Sequence, residues 1–132
     1  MRNLSENVKM LALVPAVDST ATVTGSAVDV EAYEDDALVT VSLGTFTSNP
    51  TIDVTVTGSL VATPTVYDQT LATFAQATAT GLGAKRINLA GIKNIKGVST
   101  LAGGTSPHVP VCITATVTPT VKKATQTSAT IA

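Results

Sequence analysis

Residues 99–117 read STLAGGTSPHVPVCITATV and hold the chain's only His (His108) and only Cys (Cys112). Ser106 stands two positions before His108, so acyl transfer is the first chemistry these residue types suggest. A serine triad needs an imidazole held between the hydroxyl and an orienting acid. No acid lies near in sequence, and only a fold that carried Asp36 or Asp53 onto this stretch would supply one. No nucleophile-elbow pattern is present. A dyad of Cys112 and His108 places both at i, i+4 on one face of a strand, a face otherwise lined with Thr. Zinc requires several nitrogen or sulfur ligands, and two in the whole chain are too few. The stretch therefore reads as a turn entering a strand, with His108 as at most a contact residue.

Two other motifs point the same way. TGLGAKR at 80–86 sets glycines ahead of Lys85 and Arg86. It lacks the spacing and the terminal Ser or Thr of a phosphate-binding loop, so it reads as a flexible turn entering a strand. The run Glu34-Asp35-Asp36 matches no calcium-loop spacing and reads as a solvated turn. The four rings (Tyr33, Phe46, Tyr67, Phe74) are not interleaved with a basic stripe, so nucleic-acid binding has no footprint. No catalytic residue, metal site or cofactor is expected, and the chain is not read as an enzyme.

The elements that hold these residues follow from composition. Of 132 residues, 44% are hydrophobic but only 3% aromatic, with no Trp. The core must be built from Val, Ile, Leu and Ala, each burying less area than a ring. Thr is the most frequent residue, followed by Ala and Val. Thr and Val are β-branched and favour pleated sheets. Period-two alternation marks 39–43, 52–57 and 109–118 as half-buried strands. Weaker candidates are 8–14, 27–30, 71–76, 86–89 and 95–101, the last read as bent at Gly97. Turn residues at Pro15, Gly25, 48–50, Gly58, Pro64, 81–83 and 103–104 separate them. The expected fold is all-β: an antiparallel β-sandwich or jelly-roll-like barrel.

Net charge is −1, yet its distribution is lopsided. Residues 18–68 carry eight acids and no base; the remainder of the chain beyond them carries six bases and no acid. Either the halves pair within one folded unit, or acidic and basic faces meet between subunits. The expected organisation is an N-terminal arm (1–6), a β-sandwich domain (7–121) and a flexible C-terminal arm (122–132). One Cys rules out an internal disulfide. The apolar run at 10–14 is short and crowded by Glu6 and Lys9, which argues against a signal peptide. No stretch approaches the roughly 18 apolar residues of a membrane helix.

The order of segments resembles the small head-decoration (cement) proteins of tailed bacteriophages. The likeness runs through NVKMLALVPAVDS, SAVDVEAYEDDALVTVSLGTFT and RINLAGIKNIKGVSTLAGGTSPHVPVCITATV, with a departure at 58–80. It implies a homotrimer on the capsid exterior, made in the host bacterial cytoplasm, with the major capsid protein as partner and neither nucleic acid nor membrane involved. The expected role is to bind the outer lattice and stabilise the head. Candidate subunit or capsid contacts are Glu34, Asp35, Asp36, Lys93, Lys96, His108, Lys122 and Lys123. Alternatives are a tail-tube or head–tail connector component, or a secreted Ig-like adhesion or binding module.

Overall fold

The computed structural model describes residues 8–63 and 66–119, and these form nine strands and no helix. In chain order they are β1 (Lys9–Ser19), β2 (Val23–Thr24), β3 (Val28–Asp29), β4 (Asp36–Leu43), β5 (Thr51–Ser59), β6 (Gln69–Thr73), β7 (Gly81–Asn88), β8 (Asn94–Ala102) and β9 (Val109–Val117). One sheet has the order β1-β9-β4-β7; the other runs β2-β8-β5-β6, with β3 also on β8. All pairings are antiparallel.

The pairing is nested. β1 joins β9, β2 and β3 join β8, β4 joins β7, and β5 joins β6. The chain is thus one long hairpin closed near residues 60–68 and wound into a sandwich. The β4–β9 and β5–β8 ladders sew the winding together. With β2 and β3 taken as one interrupted strand, this is the eight-stranded jelly roll. The winding also fixes which loops share an end. The 30–35, 60–68 and 89–93 connections lie at one end, together with the start of β1 and the end of β9. The 20–22, 44–50, 74–80 and 103–108 connections lie at the other.

Alternation drives the core. On β9, Val109, Val111, Ile113, Ala115 and Val117 are all buried, and on β4 and β5 so are Val39, Val41, Ile52, Val54 and Val56. The buried hydrophobic side chains of the core are all aliphatic, while Tyr33, Phe46 and Phe74 pack only partly buried against its rim. Small side chains fill a core only where the sheets approach closely, and Gly97 permits that. A Cβ there would stand 3.2 Å from the Leu13 Cβ and 3.3 Å from the Ile113 Cδ1.

Several sequence expectations need correction. The β5–β8 ladder runs without a register shift through Gly97, so this glycine serves close sheet packing rather than a bulge. Pro15 is not a turn: it lies inside β1, within the second of two register shifts, which passes from Val14 to Val17 and leaves it out of the ladder with β9. Gly58 likewise continues β5, facing Ile92 and Leu71 too closely for a side chain. Gly81 and Gly83 are not in a flexible turn but in β7, paired with Leu43 and Val41. The arms at 1–6 and 122–132 lie outside the described residues.

Candidate contact surface

His108 precedes β9 in a connection that crosses between the sheets rather than closing a hairpin, because β8 and β9 belong to different sheets. Gly103, Gly104 and Ser106 turn the chain there with φ of 81°, 73° and 48°. His108 then exchanges backbone hydrogen bonds with Thr47. Its Nδ1 lies 3.1 Å from Asp18 Oδ2. An acid does meet the imidazole, but it is Asp18, not the Asp36 or Asp53 that sequence reasoning weighed. The signal was the nested pairing, which sets Asp18 opposite Pro110. Cys112, half-buried, stands four residues along an extended chain from His108, about 13 Å away. Asp18 and His108 are both substantially solvated, at 59% and 45% side-chain exposure, so their pairing contributes little to stability.

The acidic run sits at the opposite end. Glu34 N–H donates to Thr118 O (2.8 Å), Asp35 O accepts from Leu89 N–H (2.6 Å), and Asp36 opens β4 with its Oδ2 3.6 Å from Arg86 Nη2. Lys93 shares this end, its backbone bonded to Val30 and Ser59. Lys96 lies farther along β8, its ammonium 4.3 Å from the Tyr67 ring centroid. The fold therefore brings Glu34, Asp35, Asp36 and Lys93 to one end and leaves His108 at the other. Lys122 and Lys123 lie outside the described residues. Two contacts link the halves of the sequence, Asp36 with Arg86 and Asp18 with His108. Among the described residues, no three His, Cys, Asp or Glu side chains cluster as metal ligands.

Single-residue reasoning missed a coherent surface: the outer face of the β1-β9-β4-β7 sheet. The register places Met10, Thr116, Leu38 and Arg86 in one row across four strands. The next row is Ala12, Thr114, Thr40 and Ala84, and the third is Cys112, Ser42 and Leu82. Arg86 is the only charge in these rows. Met10 is 67% exposed and Leu82 77%. The outer face of the other sheet differs, carrying Asp53 and Lys96 among its threonines. Charge depletion with exposed Met and Leu is what the centre of a protein contact requires. The alternation of β4 and β9 was the available signal; only the register shows that their polar phases line up as one face.

No protein-family model and no curated protein sequence matches the chain. Solved structures do. The SPBc2 prophage-derived protein YomS superposes with a TM-score of 0.50 at 15% identity, over 85% of this chain and 93% of that one. The structure of infectious bursal disease virus, Gx strain, gives 0.52 at 14% identity. The VP2 subviral particle of the same virus gives 0.51 at 13%. The likeness is one of fold. For both viral chains it covers 85% of this chain but 32% of theirs, so this chain matches about a third of their length.

Proposed function

We propose that the chain is a non-enzymatic structural component of a virion: a decoration, or cement, protein that docks as a homotrimer on the outside of the major capsid lattice and stabilises a phage head. The observation that carries this reading is the outer face of the β1-β9-β4-β7 sheet, whose three central rows hold Arg86 as their one charge, with Asp36 and Asp18 at the two ends of the face. Such a surface is suited to contact rather than to chemistry. The fold supports the reading, being shared with a prophage-derived protein over 93% of its length and with chains of infectious bursal disease virus. So does the segment order that resembles phage cement proteins. Each contact would bury a modest area, and repetition over a lattice would raise the total through effective concentration. The protein would be made in the host bacterial cytoplasm and would reside on the capsid exterior.

The test uses parent particles lacking this chain, mixed with the purified full-length protein. Wild type should co-sediment with the particles. The double variant Met10→Glu/Leu38→Glu should lose at least about tenfold in binding, since each change buries a charge in the contact. Its thermal unfolding should be unchanged, both side chains facing outward. Failure of the wild type to bind, or equal binding by the double variant, would overturn the proposal.

A further inference from the structure

Four strand edges bound this sandwich, and three are blunted against further pairing. β1 carries two register shifts and Pro15. The β2–β3 edge is broken into two-residue pieces. β6 is five residues long, and its ladder shifts between Val56 and Thr57. Shifts, proline and short strands are how proteins protect an edge. β7 has none of these. It runs eight residues in unbroken register with β4, and among the described residues no strand pairs with its other side.

On its inner face this edge is already closed. Phe74 packs over Gly83, where a Cβ would stand 3.3 Å from the ring, and Lys85 turns inward to donate from Nζ to Thr73 O at 2.7 Å. What β7 leaves open is backbone. Leu89 N–H donates to Asp35 O, and bonded positions alternate along an antiparallel ladder. Gly81, Gly83, Lys85 and Ile87 are therefore the positions bonded to β4. The N–H and C=O groups of Leu82, Ala84, Arg86 and Asn88 point away from the sheet, ready for a further strand.

We infer that this edge pairs with the β7 edge of a second copy, antiparallel across a two-fold axis at Ala84. The strand's own sequence selects the register. Setting even-numbered positions against even-numbered ones satisfies the outward groups and keeps every side chain on its own face. A two-fold centred on Lys85 would oppose the two copies of Lys85, and one centred on Arg86 the two copies of Arg86. Like charges directly opposite are destabilising. A centre at Gly83 would pair only residues 81–85 of the strand.

With the axis at Ala84 these conflicts vanish. Gly83 lies opposite Lys85 of the second copy and Gly81 opposite Ile87, so each inward side chain meets a glycine. Leu82, 77% exposed in the single chain, lies opposite Arg86, whose apolar stem covers it. Such an axis stands normal to the sheet, so both copies turn the same face outward. The row Ala12, Thr114, Thr40 and Ala84 then continues into its own image, and the charge-poor surface doubles in width. One strand edge makes a weak isologous contact in dilute solution, strengthened by effective concentration wherever copies stand side by side. The inference rests on β7 and not on the docking role, so pairing and particle binding can fail independently.

Two measurements on the full chain test it. In a Cys112→Ser background at high protein concentration, Ala84→Cys should oxidise to a disulfide-linked dimer in most molecules. A bonded pair sets its Cα atoms about 5.5 Å apart, within disulfide reach. Arg86→Cys, whose two copies this register holds about 14 Å apart, should cross-link at least tenfold less. Equal yields would overturn the inference. In amide exchange of the wild type, Leu82, Ala84 and Arg86 should slow at least tenfold between dilute and concentrated protein, while β1 amides stay unchanged. Exchange at these three amides that is independent of concentration would also overturn it, whether fast throughout or already slow in the dilute protein.

Discussion

Ser99 is buried between the sheets, and its hydroxyl has no hydrogen-bond partner among the described residues. A buried donor without a partner costs stability, so Ser99→Ala should leave the unfolding free energy unchanged or raise it by up to about 1 kcal/mol. Urea denaturation measures this, and a loss beyond about 1 kcal/mol would contradict it. Asn94 does the opposite work. Its amide donates to Val61 O (3.2 Å) and Ala62 O (2.7 Å), holding the loop after β5. Asn94→Ala should cost about 1–3 kcal/mol by the same experiment, because two carbonyls lose their donor. His108→Ala and Asp18→Asn belong to the solvated surface. Each should change stability by less than about 0.5 kcal/mol and leave particle binding intact, which co-sedimentation would register. That His108 is a surface residue was legible from its neighbours Pro107 and Pro110. That Asp18 is its partner was not, because ninety residues separate them and only the pairing of β1 with β9 joins them.

At the scale of elements, the strongly alternating strands were legible: β4, β5 and β9 lie where period-two patterning put them, because one buried face leaves a readable stripe. β7 was harder. Its inward phase begins with two glycines, so the pattern at 81–85 carries no apolar signal, and glycine reads as punctuation. Pro15 misled for a related reason, since a proline inside an edge strand is tolerated once a register shift removes it from the ladder. Gly97 offers the sharpest test of how the two sheets meet. An alanine there gains up to about 1 kcal/mol from the lost backbone freedom of glycine. Its Cβ would press on the Leu13 Cβ, which is fixed to the backbone and cannot swing aside. Crowding should win, and Gly97→Ala should destabilise by about 1–3 kcal/mol. Thermal melts showing equal or greater stability would mean the sheets separate more easily than this packing allows.

For the whole molecule, fold class was legible from composition: abundant β-branched residues, few rings and turn residues at short intervals leave little but a β-sandwich. The jelly roll was among the expected architectures, but which strands pair was not legible, because the winding depends on long-range pairings that leave no local trace. The charge-poor rows on the outer face of the β1-β9-β4-β7 sheet were hidden for the same reason, since they are assembled from four separate segments. If the protein acts as a homotrimer, light scattering of the full chain should give three times the mass of one chain, and a monomer across the working concentration range would remove that part of the proposal. The role itself is tested most directly by cryo-electron microscopy of the parent particle. The proposed function predicts many copies of this sandwich on the outer surface of the head shell, with the Met10–Leu38 face turned toward the capsid protein. A shell without this density, or density confined to the neck or tail, would contradict it.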